Sequence, residues 1–167
     1  MNRPTLSLSG NPGSWSDKAR IALVGEAPGP RGNPATPLWP EPKTGAGGRL
    51  AAMAGMSRSE WLRSFVRANL LDYYPGPSFP LSVARPLAVP LAQRLSPLPL
   101  VLLGRGVQAA FRFPEPDPMV WVDYELEGVW IRAAGLLHPS GLNHYYNCAL
   151  RKATVGSWLR EQAVHPG

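Results

Sequence analysis

The chain has 167 residues, which is enough for one compact domain and too few for two ordinary ones. Hydrophobic residues make up 44% of the chain and charged residues 17%, which excludes a disordered polyelectrolyte. A net charge of +6 favours a polyanionic partner such as nucleic acid. The single cysteine, Cys148, excludes an intramolecular disulfide, a Cys-rich zinc site and an iron–sulphur cluster held by the cysteines of one chain.

The sequence predicts neither a targeting signal nor a membrane span. Residues 1–18 are rich in Pro, Gly and Ser, which predicts a loosely ordered N-terminal segment without the apolar stretch of a signal peptide. The longest apolar run, residues 98–103, is far shorter than the ~20 residues that cross a bilayer. We therefore expect a soluble, cytoplasmic, monomeric protein with a single domain over residues 1–167.

In chain order, the first predicted elements alternate between strands and helices. An apolar, partly β-branched run at 21–24 predicts a buried strand, and a Pro- and Gly-rich stretch at 26–48 predicts a long loop. Helices are predicted at 49–54 and after Ser57, where Glu60 completes a capping box. Next come strands at 65–71 and 99–103, a helix at 83–95 made irregular by Pro86 and Pro90, and a helix that begins within 107–111.

The C-terminal part predicts a strand pair and a final helix. The strands are at 121–125 and 129–134 around Glu127-Gly128, and the helix is at 145–162, with Cys148 as a small buried residue inside it. This alternation predicts an α/β fold, a three-layer α/β/α sandwich with a short, mostly parallel central sheet. Ligands of such sheets bind beyond the carboxyl ends of the strands, where three unusual segments fall: 25–29, 69–72 and 138–143.

The segment Gly25-Glu26-Ala27-Pro28-Gly29 directly follows the first predicted strand. Its glycines let the backbone approach a ligand, and its amides can hold an anion or orient a water. A plain strand-to-loop turn explains the same residues, so the segment alone leaves both alternatives open.

This segment resembles the first signature of the uracil-DNA glycosylase superfamily, and it is closest to the GEAPG form of the thermostable, iron–sulphur-containing class. Further segments are similar to that class in the same order along residues 21 to about 158: Thr44-Gly45-Ala46-Gly47-Gly48-Arg49-Leu50 to its G-x-A-G-R-L-L stretch, Arg67-Ala68-Asn69-Leu70-Leu71-Asp72-Tyr73-Tyr74-Pro75 to its strand ending in Asn, residues 100–106 to its LLGR strand end, and His138-Pro139-Ser140-Gly141-Leu142-Asn143 to its second signature. The resemblance implies a glycosylase that flips a nucleotide out of DNA and removes uracil or a related pyrimidine.

The chain departs from that class at two places. Tyr73 stands where the class has one of its four cluster cysteines, so we expect no iron–sulphur cluster, no metal and no other cofactor. Ala27 stands where other classes of the superfamily carry Asp or Asn. The matched class also tends to have a second acid a few residues on, where this chain has Pro30, Arg31 and Gly32.

The resemblance and the chemistry of the bond assign two catalytic residues. Cleavage develops negative charge on the leaving base, so a donor aimed at the base oxygen lowers the barrier. His138 is the candidate donor, and its alternative is a loop histidine with an ordinary structural partner. Glu26, the only carboxylate near the first signature, is the candidate to position or deprotonate the attacking water, and its alternative is a carboxylate that caps loop amides.

The resemblance assigns base recognition to Asn69 and the first signature. Asn69 offers a donor and an acceptor to a pyrimidine edge, and an Asx turn is its alternative. The class stacks the base on a Phe shortly before G-x-A-G, where this chain has Lys43. Trp39, four residues earlier, is the candidate aromatic, and its alternative is packing of the loop. The predicted base-binding site also contains Gly25, Ala27, Pro28 and Gly29.

Contact with DNA is predicted around the second signature. Leu142 is the candidate wedge that enters the base stack, and its alternative is an ordinary exposed leucine. Ser140, Gly141 and Asn143 suit phosphate contact beside it. A basic rim is predicted from Arg105, His144, Arg151 and Lys152, although each alone is typical of a solvated surface charge.

Other functions stay open at this level. Ala27 and the missing second acid favour a binding module of the same fold that flips a base without turnover. The altered stacking residue and the long Pro-rich loop favour a glycosylase specific for another modified base. A soluble interaction domain without a nucleic-acid function is the remaining alternative.

Overall fold

A six-stranded sheet forms the centre of the described part of the protein. The structure is a computed structural model that describes residues 7–8, 21–140 and 143–164. The strands are β1 (Ser7–Leu8), β2 (Ile21–Gly25), β3 (Phe65–Asn69), β4 (Leu100–Leu103), β5 (Val122–Leu126) and β6 (Val129–Leu136). The helices are α1 (Ala46–Met53), α2 (Arg58–Ser64), α3 (Leu81–Leu95), α4 (Arg105–Ala110) and α5 (Ala149–Val164), with a 3₁₀ turn at His144–Asn147.

The strand order is β1-β3-β2-β4-β6-β5. The four inner strands run parallel, and the two outer strands, β1 and β5, pair antiparallel with their neighbours. The two-residue turn Glu127-Gly128 joins β5 to β6, and both of its residues have positive φ angles, as a tight hairpin requires. The predicted α/β fold with a mostly parallel sheet is therefore confirmed.

Helices cover both faces of this sheet. Side chains of the inner strands alternate, so that Ala22 and Val24 pack with α3 and α4 while Ile21 and Leu23 pack with α1, α2 and α5. These four side chains are fully buried, as expected for parallel strands covered on both sides. The architecture is thus the three-layer sandwich that the sequence predicts.

The loop after β2 is shorter than predicted, because α1 begins at Ala46 rather than at Arg49. A methyl group at Gly47 would lie 2.1 Å from the carbonyl oxygen of Leu38, and one at Gly48 would lie 2.3 Å from that of Pro42. The two glycines therefore belong to the helix and let the loop backbone rest against it.

The helix α2 anchors the same loop from its other side. The predicted capping box is confirmed: the Ser57 hydroxyl accepts from the Glu60 backbone, and the Glu60 carboxylate accepts from the Ser57 backbone at 2.7 Å. This cap places Trp61 in the core, where its indole N–H donates to the carbonyl of Leu38 at 3.0 Å. Leu38 is thus fixed between α1 and α2.

The helix α3 is continuous through both of its internal prolines, Pro86 and Pro90. They are four residues apart and therefore lie on the same side of the helix, which is the exposed side. The carbonyl groups that lose their helical partner to each proline can bond to water there, so the helix accommodates both.

The predicted C-terminal helix is wrong in one respect, because it is broken at Cys148. The Asn143 side chain accepts from the Tyr145 backbone and caps a separate 3₁₀ turn, after which Cys148 is extended, with ψ 121°. The prediction of a buried Cys148 is also wrong, since the residue is exposed just before α5. Hydrogen bonds from the Arg151 and Leu150 backbone lower the pKa of its thiol.

Two predictions concern the ends of the chain and the membrane. Of the N-terminal segment 1–18, the structure describes Ser7–Leu8, which pairs with Ala68 and Asn69; the rest lies outside the described residues. None of the helices in the described ranges combines the length and apolar character needed to cross a membrane.

Candidate active site

The carboxyl ends of the four parallel strands lie at one edge of the sheet. The register pairs Gly25 with Asn69 at the ends of β2 and β3, and Leu103 with Leu136 at the ends of β4 and β6. The strand β3 ends at Asn69, two residues earlier than predicted, which places this side chain at the edge itself. The edge therefore brings together the three segments that the sequence singled out.

Glu26 and His138 both contact the turn that follows β4. A methyl group at Gly104 would lie 2.8 Å from Glu26 Oε1 and 3.2 Å from His138 Cβ. Gly104 has a φ of +96°, and its N–H donates to Leu136 at 2.8 Å, so this turn is held close to β6. The two candidate catalytic residues are thus neighbours although 112 positions separate them in the chain.

Phe79 is a further residue of this site that sequence reasoning missed. A methyl group at Gly106 would lie 2.6 Å from the Phe79 ring and 2.9 Å from Glu26 Oε1, so the ring and the carboxylate share one small space. Phe79 lies in the Pro-rich segment before α3 and also packs against the core on the α3 and α4 side. Its position near Asn69 and Asp72 in the chain was the available signal.

Burial and charge act in opposite directions on His138. The half-buried imidazole has a pKa below its ordinary value because burial penalises the charged form, and the nearby Glu26 carboxylate partly offsets this effect. Among the described residues no group hydrogen-bonds the Glu26 carboxylate. The site therefore holds a neutral imidazole beside a carboxylate whose oxygens are available to a water or a ligand.

Asn69 is the last residue of β3, and its side chain lies on the α1 and α2 side of the sheet, whereas Glu26 lies on the α3 and α4 side. Asn69 is 3% exposed, and a methyl group at Gly25 would lie 2.6 Å from its Oδ1 and 3.3 Å from Leu38. Gly25 therefore makes room for the Asn69 side chain, which adds a reason for a glycine at this position. Within the described ranges the amide has no hydrogen-bond partner, so its donor and acceptor are available for recognition.

The remaining residues of the first signature have separate positions. Ala27 is half-buried and packs against the core on the α3 and α4 side. Pro28 is buried, whereas Gly29 is exposed and accepts from the Gly32 backbone at 2.9 Å in a loop turn. The segment is thus fixed to the core at Ala27 and Pro28 and turns into solvent at Gly29.

Trp39 is half-buried and faces two guanidinium groups. Those of Arg58 and Arg67 lie 5.2 Å and 5.9 Å from the centre of a Trp39 ring. Arg67 is 7% exposed and belongs to β3, and burial lowers its pKa to about 10. These contacts fit the alternative in which Trp39 packs the loop against the protein.

The segment after His138 is braced by Asn143. The Asn143 side chain donates to the His138 carbonyl at 3.0 Å, and its backbone N–H donates to Ser140 at 3.1 Å. Ser140 is half-buried beside this brace. Gly141 and Leu142, the candidate phosphate contact and wedge, lie outside the described residues.

The two arginines of the predicted rim are both exposed. Arg105 is the first residue of α4 and follows Gly104 directly, so it lies at the same sheet edge as Glu26. Arg151 lies on α5, with its guanidinium 4.7 Å from the centre of the Tyr145 ring. Within the described ranges, no group of three or more His, Cys, Asp or Glu side chains is placed to hold a metal ion.

The edge offers the Glu26 carboxylate after β2, the neutral His138 imidazole after β6 and the buried Asn69 amide at the end of β3. A carboxylate of this kind can orient or deprotonate a water, and an imidazole N–H can stabilise negative charge on a leaving group. The amide can form hydrogen bonds with the polar edge of a base.

In comparisons with known proteins, the chain matches no family model and no curated protein sequence.

Proposed function

We propose that the protein is a DNA glycosylase that hydrolyses the N-glycosidic bond of uracil or a related pyrimidine in DNA. The observation that carries this proposal is the contact of both Glu26 and His138 with Gly104, which pairs a carboxylate with a neutral imidazole at the sheet edge. The ordered segments that resemble uracil-DNA glycosylases support the same conclusion.

In this proposal the target nucleotide leaves the base stack, and its base lies across the strand ends. The Asn69 amide bonds the pyrimidine edge, and the Glu26 carboxylate holds the water that adds to the sugar C1′. As the bond from C1′ to the base nitrogen breaks, the His138 N–H stabilises the electron pair that moves onto the base. The water supplies the hydroxyl to the sugar and a proton to the base, so no other reactant is needed.

The test uses an end-labelled oligonucleotide with one uracil, treated with alkali after incubation and compared with a thymine oligonucleotide on a denaturing gel. Single-stranded DNA and duplexes with uracil opposite adenine or guanine are the three substrates. The variants are Glu26→Gln, His138→Ala and Asn69→Ala. Their matched controls are Glu125→Gln, an exposed carboxylate on β5, and Gln93→Ala, an exposed amide on α3.

We expect cleavage only at uracil, with the rate lowered about 100-fold or more in Glu26→Gln and His138→Ala. The Glu125→Gln and Gln93→Ala rates should equal that of the wild type. Uracil cleavage that survives unchanged in Glu26→Gln and His138→Ala would refute the proposed mechanism. Circular dichroism checks that each variant is folded.

A specific observation favours a second candidate function, a module that binds a flipped base without cleaving it. The Ala27 side chain packs against the core and carries no polar atom that could hold a water beside Glu26. Tight and uracil-dependent binding in a gel shift, without abasic product on any of the three substrates, would favour this module over the enzyme.

A further inference from the structure

A cleft with a volume of about 360 Å³ lies between α1 and the start of α5, next to the segment that follows His138. We call it the basic cleft. Its charged and polar lining comes from Lys43, Arg49 and Lys152, together with Ser140, Asn143 and Asn147. None of the ten acidic residues in the described part of the chain lines the cleft, so the charge of its described lining is positive.

The positive charge of the basic cleft is not neutralised from within. The ion pairs in the described ranges involve Arg58, Arg112 and Arg132, and none involves a cation of the cleft. Lys43 and Lys152 are exposed, whereas Arg49 is half-buried and donates from Nε to the Thr44 carbonyl at 2.9 Å. That bond fixes the guanidinium and leaves its terminal N–H groups for an anion.

The wall opposite α1 is held by hydrogen bonds. The buried Tyr146 donates its hydroxyl to the Leu137 carbonyl at 2.8 Å, and Asn143 braces the same wall through the His138 carbonyl. Pro139 and Ser140, which line the cleft, follow His138 directly in the chain. A group bound in the basic cleft therefore lies close to the proposed catalytic histidine.

We propose that the basic cleft binds the phosphodiester backbone of the DNA strand beside the flipped nucleotide. Two lysines supply mobile point charges, an arginine supplies a fixed fork, and a serine and amides supply neutral donors, which together suit phosphate oxygens. A volume of about 360 Å³ leaves room for more than a single small anion. This inference rests on the proposed function, because it needs DNA as the substrate.

The test measures DNA affinity by fluorescence anisotropy across a range of salt concentrations. The double variant Lys43→Gln with Lys152→Gln removes two cations of the cleft. Its matched control, Arg85→Gln with Arg94→Gln, removes two exposed cations from α3 in the opposite layer, so both variants lose the same charge. The probes are a uracil-containing duplex, the same duplex with thymine, and inorganic phosphate as a competitor.

If both lysines contact phosphates, the slope of log affinity against log salt becomes shallower by about 1.8 in the cleft variant, on both duplexes. The control variant should keep the wild-type slope within about 0.5, because its arginines are far from the proposed path of the DNA strand. Equal changes in the two variants, or no change in either, would overturn the proposal. Saturation of the cleft by micromolar inorganic phosphate would also overturn it, since the site would then take a small anion.

The outcomes separate this inference from the proposed function. A cleft-specific change of slope in a protein that never releases uracil would support the basic cleft while the glycosylase proposal fails. Uracil release that depends on Glu26 and His138, with slopes that do not respond to the lysines, would support the glycosylase and refute the basic cleft.

Discussion

Burial favours the neutral form of His138, and this makes the stability of the protein depend on pH. The pKa of His138 lies below its ordinary value in the folded protein, whereas an unfolded histidine has a pKa of about 6.5. Between these two pKa values the unfolded chain binds more protons, so the free energy of unfolding falls as the pH falls. Below the pKa of His138 in the folded protein, this decrease in the free energy of unfolding has reached its full size and no longer changes with pH.

We therefore expect urea unfolding of the wild type to show lower stability at about pH 5.5 than at about pH 7.5. His138→Asn should reduce this dependence, because an amide does not titrate. Glu26→Gln should increase it, since the Glu26 carboxylate raises the His138 pKa and its removal lowers that pKa further. Equal pH dependence in the wild type and His138→Asn would contradict the assignment.

Gly104 combines a backbone constraint with a steric one, and the two can be separated. Its φ of +96° disfavours any other residue, and a methyl group there would press on Glu26 and His138. We expect Gly104→Ala to lose about 1–3 kcal/mol of stability and, if the protein is the proposed glycosylase, to release uracil about 100-fold more slowly.

The control for this prediction is Gly128→Ala in the β5–β6 hairpin. Gly128 has a φ of +85° with nothing within 4 Å of an added methyl group, so it shares the backbone strain without the contacts. Thermal unfolding should show a loss in both variants, while the gel assay should show a loss only in Gly104→Ala. Full activity in Gly104→Ala would indicate that the close contact is unimportant.

The sequence identified site residues where the local pattern of residues indicated them, and it missed those that belong to the site only through contacts with distant parts of the chain. Asn69 lies near the end of one predicted strand and His138 follows another, so the parallel sheet brings both to one edge. Phe79 was missed because it lies in an irregular Pro-rich segment and reaches Glu26 only through the packing of α4. The role of Gly25 in seating Asn69 likewise depends on a neighbouring strand.

At the scale of elements, the glycines of α1 decide how the long loop is attached. Gly47→Ala places a methyl group 2.1 Å from the Leu38 carbonyl, whereas Gly29→Ala meets nothing within 4 Å. We expect Gly47→Ala to lower the free energy of unfolding by about 1–3 kcal/mol despite the better helix propensity of alanine. Gly29→Ala should stay within about 0.5 kcal/mol of the wild type in the same urea titration. A stabilised Gly47→Ala variant would show that the loop does not rest on α1.

The elements also show where sequence patterns stop being informative. The apolar runs of β2 and β4 and the capping box of α2 are local signals, and each was predicted within a residue or two. The glycines of α1 were interpreted as loop residues, because their requirement comes from the backbone of another segment. The break at Cys148 was missed since the Asn143 cap that causes it lies before the predicted helix.

For the whole molecule, the sheet order predicts how protection from hydrogen exchange is distributed. The strands β2 and β4 each have a neighbouring strand on both sides, and β2 is fully buried. Their amides should exchange only when the whole protein unfolds, whereas those of the outer strand β5 and of the exposed loop residues 29–35 should exchange through local opening. Mass spectrometry of the exchanged protein measures this order. Equal protection of β2 and β5 would contradict the arrangement.

Glu26 and Asn69 are supported by different layers of the sandwich. Phe79 and Gly106 surround Glu26 on the α3 and α4 side, and Leu38 lies against Asn69 on the α1 and α2 side. In the proposed enzyme, Glu26, which activates the water, and Asn69, which recognises the base, are therefore packed against different sets of residues. A mutation in the residues packed against Asn69 can change base recognition while the packing around Glu26 stays the same. Such a protein can therefore evolve a new target base without changing the residues that position the water.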